Sequence, residues 1–251
     1  MSIRSLALAA LASVLLIGSS APASAGTIGC GADGSLCTLS LSIDGSPVAA
    51  GTYAIDPKTG DVSLSAPLGG AANGGTVWVN SLNGNADPIL GFNTSAGTGS
   101  LNGNSFSITF NLPIALSGPI NANSSVSYSL TATTAAGAQI QPLFGKTVIA
   151  QEVDTTPGGL LPLNKGVDVG NTFVFLTGPL TQNSPIYTAS NTFTGNLAYD
   201  LMSVTVAFSL SKSSNVGVSG FVQQLAVPEP MTLGLISLGL AGLAVVRRRR
   251  S

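Results

Sequence analysis

The 251-residue sequence contains no histidine, only two cysteines and one tryptophan, and only 8% of its residues are charged. The absence of histidine removes the commonest general base and the commonest transition-metal ligand. The composition differs from that of charged disordered chains, and its 31 glycines are not typical of a helix-rich protein. We therefore expect a globular chain that is not an enzyme and has neither a cofactor nor a bound metal.

The basic residues are concentrated at the two ends of the chain. Arg4 and the terminal arginine run supply five of the nine cationic side chains. Between Gly26 and Val227, four lysines stand against nine carboxylates. Nucleic-acid binding requires clustered cations, which this segment lacks, so we expect no nucleic-acid partner.

Residues 1–25 have the parts of a secretory signal peptide: a positive start, the apolar stretch Leu6–Ile17 and a small-residue cleavage site. Cleavage is predicted between Ala25 and Gly26. The apolar stretch is short for a membrane span, which disfavours an uncleaved anchor. Cys30 lies far beyond this stretch, which disfavours a lipoprotein signal. We expect export through the Sec translocon and cleavage by signal peptidase.

Export places Cys30 and Cys37 in an oxidising compartment, where two cysteines close in sequence most simply form a disulfide. Asp33 and Gly34 would form the turn between them. The alternative is two free buried thiols, while a zinc site is disfavoured because the chain has no histidine. The predicted disulfide would pin the N-terminal end of the mature chain.

Three elements follow one another at the C-terminal end. In Val227–Pro230, two prolines flank one glutamate, which forces an extended chain that cannot continue a regular structure. Met231–Val246 is apolar or small throughout and would form a helix of about 24 Å, slightly short of the roughly 30 Å hydrocarbon core. The positive-inside rule places the final cationic run in the cytoplasm. That run consists of Arg247, Arg248, Arg249 and Arg250.

This order of elements resembles the PEP-CTERM sorting signal over about the last 25 residues. The resemblance implies processing by an exosortase-type membrane enzyme that recognises Pro228, Glu229 and Pro230. It also implies a Gram-negative host that makes exopolysaccharide and biofilm matrix. The precursor would be anchored in the inner membrane, and the mature protein would reach the cell surface or the extracellular matrix. A plain single-span C-terminal anchor is the alternative.

Apolar and polar residues alternate along the segment between these ends, which is typical of strands with one buried face. The pattern is clearest in Asn104–Leu112, where Phe106, Ile108, Phe110 and Leu112 share a face. It recurs at Cys37–Ile43, Val126–Leu130 and Met202–Leu210. Further predicted strands are Tyr53–Ile55, Val62–Leu64, Val77–Val79, Val148–Val153, Thr172–Leu176 and Val216–Val222.

Turn signals rich in Gly, Asn, Asp and Pro separate these segments, at residues 44–45, 56–60, 73–75, 83–84, 102–103 and 157–159. About ten short strands with polar outer faces favour an all-β, sandwich-like domain over residues 26–224. The signal peptide would precede this domain, and the sorting signal with its single transmembrane helix would follow at residues 225–251. A right-handed β-helix is the alternative, although the sequence has no fixed repeat period.

Two side-chain sets are candidates for chemistry in this domain. Trp78 would be a sugar-stacking platform if it faced away from Val77 and Val79, and core burial is the alternative. Glu152 and Asp154 are two residues apart and would share one face of a strand, as an acid pair for glycoside chemistry would require. A solvated edge face is the favoured interpretation of that pair.

One asparagine-rich stretch offers oxygen atoms of the kind that Ca²⁺ prefers. It contains Asn80, Asn83, Asn85 and Asp87, so only one of its four side chains is a carboxylate. A plain turn is therefore favoured over a calcium site.

These observations leave three function classes. The favoured one is a non-enzymatic cell-surface or matrix protein, with exopolysaccharide as a candidate partner. The second is a carbohydrate-binding module or adhesin, in which Trp78 and the asparagine-rich stretch would meet at one exposed site. The third is a secreted hydrolase, which would depend on Glu152 and Asp154.

Overall fold

A computed structural model describes residues 29–30, 36–85, 88–143, 147–154, 166–170, 174–194 and 198–227. These ranges contain sixteen β-strands and no α-helix, and no helix in them has the length and apolar character to cross a bilayer. The strands are β1 (Thr38–Ile43), β2 (Ser46–Thr52), β3 (Ala54–Ile55), β4 (Asp61–Ser63), β5 (Leu68–Ala72), β6 (Gly75–Asn85), β7 (Ile89–Thr98), β8 (Asn104–Ser117), β9 (Ile120–Ala132), β10 (Ala138–Pro142), β11 (Ile149–Asp154), β12 (Val174–Leu176), β13 (Thr181–Asn183), β14 (Tyr187–Phe193), β15 (Ala198–Leu210) and β16 (Ser214–Ala226).

The strands form two antiparallel sheets within the compact unit of residues 25–226. Sheet one has the order β12-β10-β15-β8-β1-β2, and β11 pairs with β15 beside β10. Sheet two has the order β13-β9-β16-β7-β6-β4-β3, with β14 pairing beside β13 on β9 and β5 pairing beside β4 on β6. The β-helix alternative is wrong, because neighbouring strands run antiparallel in both sheets.

The inner faces of the two sheets share one hydrophobic core. The alternation predicted for β8 is confirmed, because its side chains from Phe106 to Leu112 are fully buried at every second position. Phe110 of sheet one stacks on Phe92 of sheet two with ring centroids 5.3 Å apart. The architecture is therefore all-β and sandwich-like, as the sequence predicted.

Two predicted turns close two-residue hairpins. Asp44 and Gly45 connect β1 to β2 with φ values of 49° and 74°, and Asn73 and Gly74 connect β5 to β6 with φ values of 51° and 77°. Positive φ at both central residues is the geometry of a type I′ turn, which suits the twist of antiparallel strands.

The turn predicted at Asn83-Gly84 is wrong, because both residues lie inside β6. Gly84 is paired on both sides, with Val62 of β4 and Leu90 of β7. Its φ of 151° and the position of a Cβ only 1.9 Å from the Ile89 carbonyl oxygen require glycine here. Two-sided strand pairing thus outweighs the local turn signal.

The predicted disulfide between Cys30 and Cys37 is confirmed, with Cα atoms 5.0 Å apart, and the alternative of two free thiols is wrong. Cys37 is fully buried, and its carbonyl oxygen accepts a hydrogen bond from the Tyr53 amide at 3.2 Å. The Tyr53 hydroxyl donates to the Asn111 carbonyl oxygen of β8. Burial raises the pKa of the Tyr53 phenol well above its ordinary value, so it remains a neutral donor. The start of the described chain is thereby fixed to sheet one.

A second set of contacts fixes the β1–β2 turn to the start of β8. The Asp44 carboxylate accepts hydrogen bonds from the Asn104 side-chain amide and the Ser105 backbone amide, each at 2.7 Å. Desolvation acts to raise the pKa of Asp44, but the hydrogen bonds from Ser105, Asn104 and Asn73 outweigh it and leave the pKa below its ordinary value.

The signal peptide, the cleavage site between Ala25 and Gly26, the motif Pro228–Pro230 and the terminal arginine run lie outside the described residues. The predicted turn at residues 157–159 lies outside them as well.

Candidate functional site

Trp78 is the largest aromatic side chain on the outer face of sheet two. It is 42% exposed, whereas its neighbours Val77 and Val79 are fully buried. Because successive side chains of a strand point to opposite faces, burial of the two valines turns the indole outward. Trp78 therefore faces away from Val77 and Val79, as a stacking platform requires, and the alternative of core burial is wrong.

The indole of Trp78 lies over a glycine of the neighbouring strand. Gly69 of β5 pairs with Trp78, and a Cβ on Gly69 would lie only 2.4 Å from Cδ2 of the indole. The ring system therefore covers the position where any other residue would place its side chain. This contact supports Trp78 from below and leaves its outer side to solvent.

An open groove of about 360 Å³ runs from Trp78 across β6, β7, β16 and β9. Strand register aligns two rows of positions across these strands. One row contains Trp78, Ser95, Gly217 and Ser129, and the other contains Thr76, Gly97, Asn215 and Thr131.

The two glycines form the floor of this groove. A Cβ on Gly97 would lie 2.5 Å from Oδ1 of Asn215, so the Asn215 side chain lies over Gly97. A Cβ on Gly217 would meet only Cβ of Ser129, at 3.9 Å, which is ordinary van der Waals contact. The space above Gly217 is therefore open.

A ladder of side-chain hydrogen bonds flanks the groove. The Asn80 amide donates to Oδ1 of Asn93 at 3.0 Å and to the Ser95 hydroxyl at 3.2 Å. The Asn93 amide in turn donates to the Ser219 hydroxyl at 2.9 Å. These bonds orient polar groups from three adjacent strands on one exposed surface.

The calcium hypothesis assumed a turn-rich stretch, and that assumption is wrong because β6 continues to Asn85. Asn80 and Asn85 are five residues apart on this strand, a separation of about 17 Å. Asp87 lies outside the described residues. Within the described ranges, no three His, Cys, Asp or Glu side chains are grouped to hold a metal ion.

The acid pair lies on the other sheet. β11 carries Glu152 and Asp154 opposite Ser203 and Leu201 of β15. Glu152 and Asp154 are two residues apart on this strand. The structure does not bring this pair to the Trp78 groove, because β11 belongs to sheet one.

The sequence interpretation found Trp78 but missed Asn215, Thr131 and the two floor glycines. The available signal was the glycines themselves, because an isolated glycine inside a strand often marks close approach of another group. Their assembly depends on the register of β7, β9 and β16, which residue patterns do not specify.

A model of the PEP-CTERM protein-sorting motif matches residues 226–250. The match begins at Ala226, the last residue of β16. No curated protein matches the sequence of the chain.

Three solved structures are weakly similar to this chain. TmCBM61 in complex with β-1,4-galactotriose is 10% identical at a TM-score of 0.22, covering 64% of this chain and 87% of that one. A structure of carbohydrate-binding modules from the β-sandwich superfamily is 9% identical at a TM-score of 0.23, covering 75% and 84%. Isomalto-dextranase from Arthrobacter globiformis T6 complexed with panose is 15% identical at a TM-score of 0.20, covering 72% and 30%. At TM-scores of this size, the ligands of those proteins say nothing about this chain.

Proposed function

We propose, from the premise that the chain carries a PEP-CTERM protein-sorting motif at residues 226–250, that it is a non-enzymatic protein displayed outside a Gram-negative cell. The Sec translocon exports it, and signal peptidase removes residues 1–25. An exosortase-type enzyme then processes the inner-membrane precursor at Pro228-Glu229-Pro230. The β-sandwich is delivered to the cell surface or the extracellular matrix, where exopolysaccharide is its candidate partner.

The observation that carries this proposal is the boundary between fold and motif. Ala226 is still paired with Ile120 in sheet two. Two residues later, Pro228 and then Pro230 lack the amide hydrogen that a β-ladder requires, and each favours an extended backbone in the residue before it. The compact unit of residues 25–226 thus ends just before the recognition motif, which suits a motif that has to enter a protease cleft.

The rest of the tail supports a membrane-anchored intermediate. Met231–Val246 has the apolar composition of a short transmembrane helix, and Arg247–Arg250 would hold its end in the cytoplasm. This orientation leaves the β-sandwich on the far side of the membrane. The disulfide between Cys30 and Cys37 suits that side, because disulfides persist in oxidising compartments.

The composition supports a role without catalysis. The sequence contains no histidine, and the Trp78 groove is lined by hydroxyl, amide and indole groups rather than by an acid–base pair. Such a surface is suited to contact with a neutral polymer, and its outer strands present serine, threonine and asparagine to the surroundings.

The proposal is tested by producing the full chain in a PEP-CTERM-processing host and comparing wild type with Glu229→Ala. The wild type is expected in the surface or matrix fraction, where protease added to intact cells degrades it. Glu229→Ala is expected to accumulate in the inner membrane, protected from that protease. Glu152→Ala is the matched control, since it removes a carboxylate outside the motif and should behave as wild type. Equal distribution of all three proteins would contradict the proposal.

A further inference from the structure

We propose that the groove beside Trp78 binds a neutral saccharide chain. This inference rests on the proposed display of the sandwich outside the cell, where such polymers are present. It names the chemical class of the partner and the residues that would hold it.

The first argument is the indole itself. One side of a pyranose ring presents C–H groups, which pack on an aromatic face, while its rim presents hydroxyls. Trp78 is exposed and supported by Gly69, so its orientation is set before a ligand arrives. A preorganised aromatic surface loses little conformational entropy on binding.

The second argument is the polar lining. Next to Trp78 the groove presents hydroxyls of Ser95, Ser129 and Thr131 and the side-chain amide of Asn215. Hydroxyl and amide groups both donate and accept, which matches the mixed hydrogen bonding of sugar hydroxyls. None of the described residues that line the groove is charged. An anionic sugar would therefore lack the cationic partner that strengthens its binding, which favours a neutral chain.

The third argument is shape. The groove is open, and its volume of about 360 Å³ is at the lower end of small-molecule sites. Its floor at Gly217 has no side chain, and no neighbour fills the space above it. An open groove that crosses four strands accommodates a segment of a longer polymer.

The fourth argument is the position of the groove on β16. This strand runs from Ser214 to Ala226, and Gly217 lies nine residues before its end. At about 3.3 Å per residue, the groove floor is about 30 Å from the residue where the sorting motif begins. A polymer at Gly217 would thus be bound at the opposite end of the strand from the processing site.

The full chain in detergent provides a direct assay, because Trp78 is its only tryptophan and its fluorescence reports on this groove alone. The probes are cellotetraose, maltotetraose and laminaritetraose, with tetragalacturonate as the charged comparison, each titrated to millimolar concentration. At least one neutral probe is expected to shift or quench the emission saturably, and tetragalacturonate is not.

Gly217→Val is the decisive variant, because valine favours strands and a Cβ at this position meets only the distant Ser129. We expect wild-type thermal stability and about tenfold or greater loss of affinity for the neutral probe. Ser40→Val is the matched control: it adds the same side chain on the exposed outer face of β1 in sheet one and should bind as wild type.

Trp78→Ala and Trp78→Phe are compared by affinity electrophoresis in gels that contain the neutral polysaccharide of the best probe. Alanine is expected to remove about tenfold or more of the affinity, and phenylalanine to retain part of it because an aromatic face remains. Retention of affinity in Trp78→Ala would overturn the proposal.

Three other results would also overturn it: no response to any neutral probe, preferential binding of tetragalacturonate, or binding that Gly217→Val leaves unchanged. A change in self-association in place of saccharide binding would assign the groove to a second copy of the chain. Failure here is distinguishable from failure of the proposed function, because Gly217→Val should be sorted normally and Glu229→Ala should bind the probe normally.

Discussion

The two sheets of the sandwich share one hydrophobic core, but they differ in the features that lie outside it. Sheet one carries the contacts that fix the chain: the disulfide at Cys37, the Tyr53 hydroxyl bonded to Asn111, and the Asp44 carboxylate bonded to the start of β8. Sheet two carries the exposed Trp78 and the groove whose floor includes Gly217. Sheet one carries the contacts of the framework, and sheet two carries the proposed binding surface.

This difference shows how a fold of simple alternating strands acquires a site. On β8 and β15 the outer side chains pair with each other, as when the hydroxyls of Thr109 and Thr205 meet at 3.2 Å. On β7 and β16, glycines at Gly97 and Gly217 interrupt the row of side chains and create a depression. A site on a flat sheet therefore depends on where side chains are missing as much as on where they stand.

The largest expected effect comes from a substitution in the hydrophobic core that the two sheets share. Phe110→Ala removes the ring that stacks on Phe92 across the core and should lower the free energy of unfolding by about 3–5 kcal/mol. Urea unfolding followed by Trp78 fluorescence measures the free energy of unfolding. The destabilisation should appear in this signal, although Phe110 lies in sheet one and Trp78 in sheet two. Leu101→Ala, at a residue that is 85% exposed, is the control with a change near zero. A loss below about 1 kcal/mol for Phe110→Ala would contradict the single shared core.

An intermediate loss of stability is expected from removing the disulfide, which should leave the Trp78 groove unchanged. Replacing Cys30 and Cys37 together by alanine opens a short loop and should cost about 2 kcal/mol of stability. The native emission of Trp78 and its response to saccharide should be unchanged, since the disulfide belongs to sheet one. Reduced wild type provides the matched comparison. A shifted Trp78 emission in the folded double variant would contradict this expectation, because it would show that the disulfide influences the outer face of sheet two.

The smallest effect is pH-dependent. Asp44→Asn should cost about 1 kcal/mol at neutral pH, because the carboxylate accepts hydrogen bonds from Asn104 and Ser105 but is solvent-exposed. The folded-state pKa is below the ordinary value of 3.8, so the stabilisation is fully present above that value and is lost as pH falls through the lower folded-state pKa. Wild type and variant should therefore converge in stability at acidic pH. A constant difference from neutral to strongly acidic pH would contradict the role of the charge.

Much of the framework was predictable from local patterns. Period-two alternation identified strands such as β8 and β15, and Asp44-Gly45 and Asn73-Gly74 identified two hairpin turns. The disulfide followed from export and from the spacing of the two cysteines. These features were accessible because each is encoded within a few adjacent residues.

The strands and the groove that the sequence did not predict depend on pairing between segments that are distant in the chain. The predicted strands omitted β2, β5, β7 and β10 and the polar edge strands β13 and β14. The glycine and alanine content of β2 and β5 gives little strand signal. The Trp78 groove was missed as a unit because Gly97 and Gly217 meet only through the register of β7 with β16. No local pattern in either strand specifies which position of the other it faces.

The most direct test of display outside the cell is the intact mass of the mature protein recovered from the surface fraction of its host. The account predicts a chain that begins at Gly26 and lacks Met231–Ser251. A surface protein whose mass still includes Arg247–Arg250 would show that the tail is a permanent anchor and would contradict processing at Pro228-Glu229-Pro230.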